Sequence, residues 1–85
     1  MRLSQRLDLF ERLLTRFKIT ETGCWEWTGA KLESGEYGEI SVGGTPYRVH
    51  RVIWALFVGP IPKGQHVLHA CDNPPCFRPT HLWLG

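Results

Sequence analysis

Three cysteines and a histidine constrain this chain more than anything else in it. Cys71, Cys76 and His81 follow one another as C-x4-C-x4-H, and Cys24 lies far upstream. Together they make the ligand count of a closed structural zinc site, in which thiolates and imidazole fill a tetrahedral shell and leave no position open for water. A chain of 85 residues needs such a staple. At this size folding buries only roughly 60% of the surface that the unfolded chain exposes, and that burial barely offsets the entropy of ordering. Disulfides are the other staple, but three cysteines cannot all pair. Reduced thiolates on zinc, in a cytosolic compartment, fit the count better. Structural zinc contributes roughly 10–16 kcal/mol of apparent folding free energy, enough to decide whether a domain this small folds. The competing reading is three thiols with no ion between them.

The rest of the chain reads as a small α+β domain. Leu3, Leu7, Phe10, Leu14 and Phe17 recur at helical spacing, so residues 1–19 read as an amphipathic N-terminal helix, and residues 20–85 as the zinc-binding domain. Arg2, Arg6, Arg12 and Arg16 fall elsewhere on that helix, as a solvated face or a phosphate-touching one. Met1 to Arg6 read as the start of this helix and not as a leader. Gly23 to Gly29 alternates like a strand, Tyr37 to Val42 is a second strand, and Gly43-Gly44 marks a tight turn. Thr45 to Val49 returns as a third strand, held to an edge by Pro46. Then the period changes. Val49, Val52, Ile53, Leu56 and Phe57 make one helical face, ended by Gly59-Pro60. Gln65 to Ala70 reads as a short strand, Cys71 to Pro79 as a proline-rich loop, and His81 to Leu84 as the returning strand. The four tryptophans read mostly as core, with Trp25 and Trp54 foremost among those expected to be buried.

Charge and hydropathy narrow the function classes. The net charge of +2 permits nucleic acid as a partner without demanding it. The longest apolar run, Val52 to Val58, is far short of the roughly 20 residues of a membrane span. If the four ligands close the zinc site, any chemistry must come from other side chains. His69, two residues before Cys71, is the candidate. An imidazole with a pKa near 6.5 accepts a proton at neutral pH, and a zinc-stapled loop would hold the ring in one pose. The plainer alternatives for His69 are a structural role or a spare zinc ligand. Arg48, His50 and Arg51 cluster where strand gives way to helix, either as phosphate contacts or as a solvated helix start.

These residues also carry a family resemblance. Gly23-Cys24-Trp25-Glu26-Trp27-Thr28-Gly29, Tyr37-Gly38, His50-Arg51 and Gly59-Pro60-Ile61-Pro62 are followed by His69-Ala70-Cys71-Asp72-Asn73-Pro74-Pro75-Cys76, then Pro79-Thr80-His81-Leu82 and Leu84-Gly85. In order and spacing this resembles the HNH endonucleases of the His-Me finger (ββα-metal) superfamily, in the zinc-binding-loop branch common in phages and homing endonucleases. The resemblance covers residues 20–85. It implies a zinc-stabilised His-Me finger fold and hydrolysis of DNA phosphodiesters. His69 would be the general base and Cys24, Cys71, Cys76 and His81 the structural zinc ligands, with Arg48 or Arg51 on the phosphate. It further implies a catalytic Mg2+ or similar cation, held by DNA oxygens and by an asparagine or histidine on a helix after Leu84-Gly85. Gly85 is the last residue here, so the expectation is a fragment of a longer nuclease, a domain that no longer cleaves alone, or one completed by another subunit: a homodimer or a larger protein. The rival readings are a zinc-stabilised DNA-binding module and a degenerate nuclease fold that binds protein. The setting implied is the cytoplasm of a phage-infected or bacterial cell.

Overall fold

The computed structural model describes residues 3–31 and 37–85, with side chains from Arg6 onward. The expectations for Met1, Arg2 and the side chain of Leu3 fall outside them. The chain runs α1 (Leu3–Leu14), β1 (Phe17–Ile19), β2 (Trp25–Trp27), β3 (Glu39–Val42), β4 (Thr45–Arg48), α2 (Val49–Phe57), β5 (Val67–His69), a 3-10 turn (Pro79–His81) and β6 (Leu82–Leu84). It is a small α+β fold, as expected. The strands form three antiparallel pairs, β1–β2, β3–β4 and β5–β6. Neither helix is long and apolar enough to cross a membrane.

The N-terminal helix is shorter than its apolar spacing predicts. It ends at Leu14, because the Thr15 hydroxyl donates to the carbonyls of Glu11 (3.0 Å) and Arg12 (3.2 Å) and so satisfies the last turn. Phe17 then leaves the helical stripe to begin β1, pairing opposite Trp27 and packing on Trp25 and Phe77 with ring centroids 5.5 and 5.4 Å apart. The buried face of α1 is Leu9 and Leu13, whereas Leu7 and Leu14 are exposed. Leucines at both registers make two apolar stripes on this helix, and of the stripe picked by spacing Leu7 and Leu14 face water while Phe10 and Phe17 are half-buried.

The turn at Gly43-Gly44 joins β3 to β4 with φ of 58° and 82°. A two-residue hairpin needs positive φ at both positions, which glycine supplies without strain. Helix α2 follows Arg48 directly and buries Val49, Val52 and Ile53 as its periodicity predicts. It also buries His50 and turns Phe57 outward, against Phe10 of α1 at 4.9 Å between centroids.

Trp27 is the centre of the core, at 1% exposure, whereas Trp25 and Trp54 are only half-buried. This corrects the expectation for those two. Trp25 and Trp27 share a face of β2, but only Trp27 reaches the space between Gly29 and Gly38. Its indole N–H donates to the Ala30 carbonyl at 2.7 Å. A Cβ on either glycine would come within 2.6 Å of the ring. Glycine at position 38 is therefore required for close approach, since its φ is not positive. Gly38→Ala should cost about 1–3 kcal/mol by overpacking and lower the melting temperature by about 4–8 °C for each kcal/mol. A thermal melt of the zinc-loaded variant checks this; an unchanged midpoint would mean that the indole has room to move.

Candidate metal centre and histidine cleft

The metal centre is assembled from opposite ends of the chain. Cys24 immediately precedes β2 and Cys76 lies in the proline-rich loop. Backbone bonds stitch the two together: Trp27 N–H donates to Pro75 O (3.0 Å) and Phe77 N–H to Trp25 O (2.9 Å). The Arg78 guanidinium donates to the Gly23 carbonyl at 2.9 Å, on the same seam. The 3-10 turn, opened by Pro79, brings His81 in from the other side. The result is one cluster, Cys24, Cys71, Cys76 and His81, whose ligand atoms all lie within 4.8 Å of one another. Nδ1 of His81 is 3.6 Å from Sγ of both Cys24 and Cys76. Bonds of about 2.3 Å to sulfur and 2.0–2.1 Å to nitrogen, at the tetrahedral angle, separate the two atoms by about 3.6 Å. The donor set, its count and its spacing thus fit zinc, and this cluster could hold one structural ion.

The thiols are poised for a cation. Burial pushes the Cys76 thiol up to about 12. At Cys24 burial also pushes upward, but hydrogen bonds from Cys76, Asn73, His81 and Cys71 outweigh it and bring the thiol down to about 6. The pair thus tends to hold one proton between two sulfurs, which a divalent ion would displace.

His69 stands beside this centre, at the end of β5. Its Nε2 lies 2.8 Å from the carbonyl oxygen of Cys76. A carbonyl only accepts, so Nε2 carries the proton and Nδ1 keeps its lone pair. The metal loop thereby fixes both the pose and the tautomer of the ring. Burial pushes the His69 pKa below its ordinary value, opposed by the bond to Cys76 and by the Asp72 carboxylate, so the neutral form prevails at neutral pH. The ring lines an open cleft of about 380 Å³ together with Tyr37, Asp72, Pro74 and Trp83. Asp72, at φ 53°, is the one non-glycine residue with positive φ among the described residues.

The basic cluster at the start of α2 is split by the fold. Arg48 is exposed and sits over the Tyr37 ring, 4.9 Å from its centroid. Arg51 lines a different cavity, together with Arg6 and Tyr47. His50 is turned inward: it is 5% exposed, stacked on Tyr37 at 5.3 Å and 4.7 Å from the His69 ring. Sequence reasoning gave no role to Tyr37, Asp72 or Trp83. Within the motif run, the Tyr37-Gly38 pair and the Asp72 of His69-Ala70-Cys71-Asp72 pointed at the first two of them.

Two measurements test this site. Cys76→Ser should release the ion and unfold the chain, with metal content and circular dichroism as readouts; full metal content and an unchanged melt would refute the four-ligand centre. The second concerns His50. Burial first, then the neighbouring His69, push its pKa down to about 4, and its Nδ1 has no hydrogen-bond partner among the described residues. The unfolded chain takes up a proton near pH 6.5, and the folded one not until about pH 4. Stability from this group is therefore full above pH 6.5 and declines as pH falls towards 4, by on the order of 2–3 kcal/mol. Urea midpoints at pH 7 and pH 5 should fall further for the parent than for His50→Gln, in which the other titrations are shared.

Comparison with known proteins agrees with this geometry. A family model described as "HNH endonuclease" matches residues 47–85. Protein 2.8 of Escherichia phage T7 is 44% identical over 81 residues, spanning 93% of this chain and 54% of the relative. Protein 7.7 of the same phage is 45% identical over 62 residues, spanning 73% of this chain and 47% of the relative. The chain thus spans about half the length of the curated relatives it matches. No solved structure gives a significant match. Residues 47–85, which carry His69 and three of the four metal-centre residues, are thus similar to the HNH endonuclease family.

Proposed function

We propose that this chain is a metal-dependent DNA endonuclease domain in which His69 is the general base. The observation that carries the reading is the bond from His69 Nε2–H to the Cys76 carbonyl, which couples the ring to the metal loop and leaves Nδ1 to take a proton from water. Zinc at Cys24, Cys71, Cys76 and His81 is scaffold in this reading, because four protein ligands leave it no open position. Arg48, held over Tyr37 beside the cleft, is the cation best placed for a DNA phosphate. The neutral His50 backs the His69 ring.

A divalent cation such as Mg2+ is the second requirement of this chemistry. Mg2+ typically takes one or two carboxylates and fills its shell with phosphate oxygens and water. Asp72 is the carboxylate that lines the His69 cleft, and it fits that pattern. When bound, such an ion would stabilise charge on the phosphate and on the leaving oxygen.

The test is nicking of supercoiled plasmid in Mg2+ by the zinc-loaded chain. His69→Ala should keep fold and zinc and lower the nicking rate by about 10²–10⁴-fold, the usual range for a general base. Nicking by the alanine variant at the parental rate would remove His69 from the mechanism. Gel shifts at two salt concentrations belong beside it. A parent that binds DNA with steep salt dependence and never nicks would support a binding module instead.

A further inference from the structure

A cavity larger than the His69 cleft lies away from it. It measures about 600 Å³ and opens between α1, the β3–β4 hairpin and α2. Val42, Leu56 and Ile61 give it an apolar wall, and all three remain only partly covered by the core. Arg6 of α1 and Arg51 of α2 reach the same cavity from opposite helices, with Tyr47 beside them. Among the described residues no acidic side chain lines it. The one ion pair among the described residues joins Lys18 to Glu26, elsewhere on the molecule, so among these residues neither arginine is paired with a carboxylate.

We propose that this cavity docks a peptide segment of a partner protein that presents a bulky apolar side chain flanked by carboxylates. Charge complementarity selects the occupant. A guanidinium beside an apolar wall is costly to desolvate alone, and a carboxylate pairs with its planar fork in two parallel bonds. An apolar side chain from the partner covers the aliphatic wall between the two arginines. A nucleotide matches the cavity less well. Its phosphate suits arginine, but its base edges need donors and acceptors, and the wall supplies hydrocarbon. Buried base edges would then go unpaired. The proposal stands apart from the endonuclease reading, since no residue of this cavity lines the His69 cleft.

Amide chemical shifts of the isotopically labelled, zinc-loaded chain test it. The probe is acetyl-Glu-Leu-Phe-Glu-amide, with acetyl-Lys-Leu-Phe-Lys-amide and a short oligothymidylate as comparisons. The acidic peptide should move the amides of Val42, Ala55 and Leu56 saturably and leave those around His69 in place. The basic peptide should bind at least about tenfold more weakly, and Arg6→Ala and Arg51→Ala should each weaken the acidic peptide by about tenfold, the loss of one charge-assisted hydrogen bond. The spectra of both variants report directly that they fold. No saturable shift at millimolar acidic peptide, equal binding of the basic peptide, or tighter binding of oligothymidylate at the same amides would each overturn the proposal.

Discussion

One cluster of sulfur and nitrogen atoms holds this chain together. Cys24 and His81 are 57 residues apart, yet their donor atoms lie 3.6 Å apart. The segments that carry the four ligands are short strands, a 3-10 turn and a loop with several prolines, none of which closes a core by itself. Without an ion, two buried thiols and a partly buried imidazole would face one another with little to offset their desolvation. With one, the β1–β2 hairpin and the Cys71–His81 loop become a single body, and the seam of backbone bonds from Pro75 to Phe77 extends that union along β2.

The same loop hands rigidity on to the histidine. The Cys76 residue offers its sulfur to the metal centre and its carbonyl to His69, so one residue serves both scaffold and candidate base. Tyr37, His50 and His69 pack as three neighbouring rings with centroids 4.7–6.0 Å apart, which leaves the His69 imidazole little freedom to reorient. The hydrophobic core beneath is small, centred on Trp27, Phe77 and Ile53, and joins both helices to β2. A polar histidine can sit in that wall because it is held neutral there.

The ligand set was legible in the primary sequence because metal chemistry admits few residue types and needs a fixed number of them. His69 was legible as a candidate for a similar reason: an imidazole two residues from a ligand inherits the ligand's rigidity. The α2 helix and the Gly43-Gly44 hairpin could be read from period and from glycine's access to positive φ, which are local properties. Sequence alone likewise pointed to a staple, and to a metal in preference to disulfides, because three cysteines cannot all pair.

Tertiary packing decided the rest, since it depends on which surfaces meet. Leu7 and Leu9 are equally apolar, and only the position of α2 determines which of them is covered. Trp25 and Trp27 point the same way from one strand, and only the gap between Gly29 and Gly38 chooses Trp27. Arg48 and Arg51 are three residues apart, but one ends a strand and the other lies on a helix, so Arg48 sits over the Tyr37 ring and Arg51 lines the cavity beside Arg6. His50 reads as basic in the sequence and is buried and neutral in the fold, because burial penalises its charge and His69, Arg48 and Arg51 beside it add to that penalty.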